Sequence, residues 1–174
     1  MVETESSCVT TTETNLDEMR AKLAEQPDSL YAILDSYGEP RVLAKVEELG
    51  EQAVCLYRGR AFDKYWNIAP YLVKIDEVLL DWVVEELWDS PWGVFVWASV
   101  DLDKVRRHFR KFLLVLSPEG KKLYFRFYDP LVLPTFLMSC NAEEAKHFCS
   151  CIECFIVKKE SGDMQNFFLT NNIQ

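Results

Sequence analysis

The sequence predicts an α/β domain: a single mixed parallel/antiparallel sheet flanked by helices, with two hairpins in its C-terminal half. Three observations predict it. From Leu30 onward, short apolar runs alternate with stretches of helical spacing, the pattern of βαβ units. Residues 93–98, GVFVWA, show no polar alternation, which suits a central strand covered on both faces. Two turn sequences, Ser117-Pro118-Glu119-Gly120 and Ser161-Gly162-Asp163, each separate a pair of strand-like runs, and this requires antiparallel pairing as well.

The elements follow in order. The Ser/Thr-rich opening to Thr14 has no apolar period and reads as a mobile acidic tail, 1–14, leaving 15–174 as one domain. Thr14 with Asp17 resembles a capping box, and Leu16, Met19 and Leu23 at helical spacing predict a helix over 15–26 that stops at Pro27. Residues 30–34 read as a strand. Val42, Leu43, Val46 and Leu49 read as a helix closed by Gly50, and 53–57 again as a strand. Residues 62–66 carry no clear signal. A strand at 70–75 precedes a helix whose apolar face is Val78, Leu79, Trp82, Val83 and Leu87. After the 93–98 strand, Leu102, Val105, Phe109 and Phe112 form a helical stripe, with Arg106, Arg107, Arg110 and Lys111 on the other side.

Residues 112–116 begin the first hairpin. In its second arm Leu123, Phe125 and Phe127 face the core, and Tyr124, Arg126 and Tyr128 face solvent or a partner. Asp129-Pro130 starts a helical stretch to Met138, a second covers 143–148, and 152–157 with 164–169 make the closing hairpin.

Composition limits the function. The chain has 174 residues, 49% apolar, and a net charge of −9, which argues against nucleic-acid binding or coating of an anionic membrane because either needs a basic face. No apolar run reaches the ~18 residues of a membrane span, and the acidic N-terminus does not read as a secretory signal, so the expected location is cytoplasmic. Residues 1–28 hold −5 of the charge. Residues 76–103 carry eight acidic and no basic groups, and 104–126 carry eight basic groups against Glu119 alone. Such segregation suits either solvated faces or a dipolar surface that orients a protein partner.

Catalytic equipment is sparse. Six glycines, none closely paired, make neither a dinucleotide fingerprint nor a Walker loop, and no G-x-S-x-G turn is present. Cys140, His147, Cys149, Cys151 and Cys154 offer soft donors for Zn²⁺ or thiol chemistry, but their spacing forms no two separated pairs, and buried or surface thiols are the preferred reading. The zinc-binding or thiol-based regulatory module stands as the alternative function. His108 reads as a helix-face histidine rather than a base, and Arg126 with Asp129 as the fixings of a strand-to-helix turn.

At these residues the chain resembles a known family. Pro70-Tyr71-Leu72-Val73, Pro91-Trp92-Gly93, His108-x-Arg110-x-Phe112 and Phe125-Arg126-Phe127-Tyr128-Asp129-Pro130, in that order, are similar to the effector chaperone/adaptor domain of bacterial type VI secretion, over roughly residues 30–155. The resemblance implies a cytoplasmic, non-enzymatic adaptor without cofactor or metal, which binds an effector and helps load it onto a VgrG spike. Where that family usually continues Asp-Pro with Arg, Leu131 stands here. Arg106, Arg110, Tyr124, Arg126 and Tyr128 are the candidate partner contacts, and Pro70, Trp92, Gly93, His108, Asp129 and Pro130 the motif positions expected to be structural.

Overall fold

The computed structural model describes residues 8–170. In chain order the elements are β1 (Val9–Thr14), α1 (Leu16–Glu25), β2 (Leu30–Asp35), α2 (Pro40–Leu49), β3 (Ala53–Cys55), α3 (Arg60–Tyr65), β4 (Pro70–Lys74), α4 (Glu77–Glu86), β5 (Gly93–Trp97), α5 (Leu102–Phe109), β6 (Leu114–Leu116), β7 (Lys122–Tyr124), α6 (Leu133–Ser139), α7 (Ala142–Phe148), β8 (Cys154–Lys158) and β9 (Met164–Leu169). Seven strands form one sheet in the order β1-β9-β8-β5-β2-β4-β3, and β6-β7 form a separate two-stranded sheet.

The sheet corrects the expected mixed pairing. Every neighbouring pair in it is antiparallel. The βαβ reading had the right directions and the wrong neighbours: β2 and β3, joined through α2, run parallel but have β4 between them, and β4 and β5, joined through α4, run parallel with β2 between them. Two interlocked split βαβ units therefore give an antiparallel four-stranded centre, β5-β2-β4-β3. The β8–β9 hairpin and β1 extend it past β5, which places the unbroken apolar run of β5 fourth of the seven strands.

Side-chain alternation loads both faces of this sheet. Leu30, Ala32 and Leu34 of β2 join Met19 and Leu23 of α1, Val42 of α2, and Leu80 and Val83 of α4 in one core layer. Tyr31 and Ile33 join Val105 and Phe109 of α5, Leu133 and Leu137 of α6, and Phe148 of α7 in the other. The second layer is rich in phenylalanine: Phe109 stacks on Phe127 at 5.2 Å and Phe148 on Phe155 at 5.4 Å. Burying each such ring contributes roughly 1.5–3 kcal/mol. Because α4 and α5 pack in different layers, the acidic residues of α4 and the basic residues of α5 are carried on opposite faces of the sheet, while Asp101 and Asp103 of the acidic block lie at the start of α5.

Residues 9–14 correct the mobile tail expected over 1–14. They form β1 and pair with β9, while the first seven residues of the chain lie outside the described residues. The run Thr10-Thr11-Thr12 has no apolar period, but β-branched threonine suits a strand, and Thr10 Oγ1 lies 2.6 Å from Thr170 Oγ1 while Asn166 Nδ2 donates to Thr12 Oγ1 at 3.1 Å. The cap of α1 is Asn15, whose side chain accepts from the Glu18 N–H, rather than Thr14. The second arm of the first hairpin ends at Tyr124, and 125–130 continue as irregular chain over the core.

Candidate functional site

The site is built on the end of β2. Asp35 closes that strand opposite Pro70, the first residue of β4, where a residue without an N–H is tolerated. Ser36 follows, its hydroxyl donating to the Ala69 carbonyl at 2.8 Å. The Asp35 N–H donates to the Trp92 carbonyl at 2.7 Å, so the Pro91-Trp92-Gly93 turn is tied to the same point. Trp92 is buried and packs edge-on against Phe95 at 4.7 Å.

Arg126 brings the FRFYDP segment in from the opposite core layer. Its guanidinium pairs with Asp35 Oδ2, lies 3.7 Å from Asp129 Oδ2, and sits 4.8 Å from the centre of the Tyr37 ring. The Tyr37 N–H donates to the other Asp35 oxygen at 3.0 Å. Asp35 is only 3% exposed. Burial pushes its carboxyl upward, and Arg126 and the Tyr37 N–H draw it back down. Asp129 Oδ1 accepts from the Leu131 N–H at 2.9 Å, and the Asp129 carbonyl accepts from Val132 and Leu133, which opens the turn into α6. Three of the four motif segments therefore converge with the end of β2 in one hydrogen-bonded cluster spanning residues 35–130, while His108-x-Arg110-x-Phe112 lies apart from it.

Outside this cluster the surface is aromatic and apolar. Tyr37 is 60% and Leu131 63% exposed. Next to them lies a groove of about 650 Å³ between the Pro91-Trp92-Gly93 turn, Pro130, Leu131 and Pro134, and Lys158 and Lys159 at the end of β8. A cavity of similar size, about 640 Å³, lies against α1, where Lys22 covers the Trp97 ring, and it touches none of the motif residues.

The predicted residues do not all lie together. Pro70, Trp92, Gly93, Arg126, Asp129 and Pro130 meet at the end of β2 or line the groove beside it. Tyr128 is next to them but 1% exposed, so the outward-facing contact expected of it is absent; β7 has already ended at Tyr124, and the strand alternation does not continue. Burial raises the Tyr57 and Tyr128 phenols together. Tyr124 is exposed, with its ring 4.9 Å from that of Tyr57. Arg106 pairs with Asp103 at 2.8 Å. Arg110 donates to the Leu56 carbonyl at 3.1 Å and to the Cys55 carbonyl at 2.9 Å, so it holds the end of β3. Asp35, Ser36 and Tyr37 were not singled out by sequence. An acidic residue closing the apolar run LYAIL was the available signal, and its partner lies 91 residues away.

His108 is buried in α5, and its Nε2 donates to the Phe148 carbonyl at 2.7 Å. Desolvation lowers its pKa, so the folded chain holds it neutral. The unfolded chain binds the proton more readily, and the stability this histidine confers is present above the ordinary imidazole range and is lost as pH falls through it. Urea midpoints of the wild type should therefore drop more between neutral pH and pH ~5 than those of His108→Gln; equal slopes would remove His108 as the cause.

The thiols divide between the layers. Cys140, Cys149 and Cys151 pack with the α5–α7 side and Cys154 with the α1–α4 side. Among the described residues no three His, Cys, Asp or Glu side chains form a group able to hold a metal ion. Burial pushes Cys149 up to about 12 and Cys154 to about 11, so both stay protonated at neutral pH, and the thiolate is the reactive form. Iodoacetamide at pH ~8 should leave these two unlabelled in the native protein and label them after denaturation; native labelling at the rate of a free thiol would contradict this burial.

A family model described as "Domain of unknown function (DUF4123)" matches residues 30–147. No curated protein and no solved structure matches the chain. Among the described residues no helix is long and apolar enough to cross a membrane.

Proposed function

Since the chain belongs to the DUF4123 family, whose model covers more than half of it, we propose that it is a cytoplasmic, non-enzymatic adaptor that binds a type VI secretion effector and helps load it onto a VgrG spike. The observation that carries this reading is the convergence of three of the four motif segments on the strand end closed by Asp35. Their polar groups are spent on one another: Asp35 on Arg126 and two backbone contacts, Ser36 on Ala69, Asp129 on the turn into α6. A cluster so occupied shapes a surface instead of supplying a nucleophile or a base. What it presents outward is Tyr37, Leu131 and the adjoining groove, whose apolar wall is bordered by charged residues such as Asp89, Lys158 and Lys159, a combination that suits protein contacts.

Co-expression of the chain with a neighbouring effector and with VgrG tests the reading. Both should co-purify, and Leu131→Asp should weaken effector retention by about tenfold, roughly 1.4 kcal/mol, without lowering the melting temperature; Tyr37→Ala should weaken it similarly with a small drop in melting temperature, because its ring covers Arg126. A chain that retains neither protein, from a genome without a type VI cluster, is not such an adaptor.

A further inference from the structure

We propose that the β6–β7 hairpin is a docking edge for an extended acidic segment of a partner protein, which adds as a third strand along β6. The hairpin stands apart from the seven-stranded sheet, and among the described residues no further strand pairs with it. Its register sets Leu114 opposite Tyr124, Val115 opposite Leu123 and Leu116 opposite Lys122. The closing bonds run from the Ser117 N–H to the Lys121 carbonyl and from the Phe125 N–H to the Leu113 carbonyl. Odd-numbered residues of β6 therefore bond inward, and the N–H and C=O groups of Leu114 and Leu116 point to the free edge.

That edge lacks the usual protection. Natural sheets guard an open edge with a charge, a proline or a bulge, whereas β6 is Leu-Val-Leu throughout, with Leu114 50% and Leu116 69% exposed. At its other strand the hairpin is fixed to the domain, the Tyr124 ring lying against Tyr57 and, at 6.1 Å, edge-on to Tyr65 of α3. A strand template anchored at one strand with its other edge open is the arrangement used for β-strand addition.

Charge selects the occupant. Lys111 precedes β6, Lys121 and Lys122 face it across the turn, all three are exposed, and Glu119 is the only acidic residue between 104 and 126. A second copy docking edge to edge would bring the same lysines together, so the rim disfavours a symmetric dimer and favours a segment that alternates apolar and acidic residues. This inference goes beyond the adaptor reading and stands independently of it.

Fluorescence anisotropy with the full chain tests it, using a labelled twelve-residue peptide of alternating Val and Glu against one of alternating Val and Lys. The Val-Glu peptide should bind about tenfold more tightly, its affinity should fall as salt is raised, and Lys121→Glu/Lys122→Glu should abolish the preference. Hydrogen exchange should slow at the Leu114 and Leu116 amides in the complex. Equal affinity for both peptides, no binding of either, protection at the groove instead of β6, or peptide-free self-association that the double charge reversal removes would each overturn the proposal. Because neither peptide derives from an effector, failure here leaves the co-purification result standing, and the reverse also holds.

Discussion

Gly93→Ala is expected to cost at least about 4 kcal/mol, a loss larger than nearly all single substitutions cause and a large share of a domain's marginal stability. Gly93 opens β5 at φ +139°, and a Cβ built there meets the Ile33 carbonyl oxygen at 1.9 Å, well inside any real contact. The obstacle is backbone of the central strand β2, which cannot swing aside as a side chain would. Relief requires β5 to move away from β2, which breaks the pairing of Val94 with Ile33 and the bond from Asp35 N–H to the Trp92 carbonyl. Gly38→Ala separates the two contributions: Gly38 also has a positive φ, +72°, but nothing lies within 4 Å of its added Cβ. It should lose only about 1 kcal/mol, the conformational part alone. Urea denaturation of both variants checks this, and similar losses would show that close approach to β2 is not what requires glycine at position 93.

Arg126→Met should give the second large effect, about 2–4 kcal/mol, somewhat below a fully buried pair because water reaches one side of Arg126. The loss arises from what remains: Asp35 keeps its carboxylate in a nearly closed site with only the Tyr37 N–H to answer it. Adding Asp35→Asn should recover part of the deficit, giving a coupling of at least ~1 kcal/mol in a double-mutant cycle. The pH dependence follows with a definite sign. Without Arg126 the Asp35 carboxyl is raised further, the folded chain holds its proton more tightly than the unfolded chain, and the deficit of Arg126→Met should shrink as pH falls toward the carboxylate range. A deficit unchanged by pH and by Asp35→Asn would mean that Arg126 acts through packing on Tyr37 alone.

These two results concern the same junction, and they explain why motif pieces that look unrelated along the chain belong together. Pro70, Trp92-Gly93 and Arg126-Asp129 each touch Asp35 or the strand end it closes. Their spacing in sequence held their order but none of that contact, because an ion pair between residues 35 and 126 leaves no local periodic trace.

Local physics wrote most of the elements into the sequence. Helical spacing at Val42–Leu49 and at Leu102–Phe109, the Gly50 helix end, the unbroken apolar run of β5 and the Ser161-Gly162-Asp163 turn each act over a few residues, and each yielded an element close to its predicted place. Tertiary structure decided which strands lie side by side. An alternation of strand and helix implies that β2 and β3, or β4 and β5, run in the same direction; it does not register that another strand has entered between them. That choice depends on hydrogen bonds between residues that lie 35 to 67 positions apart, set by burial of both faces of β2, and the same long-range pairing turned a threonine run into an edge strand and an unremarked Asp35 into the anchor of the candidate site.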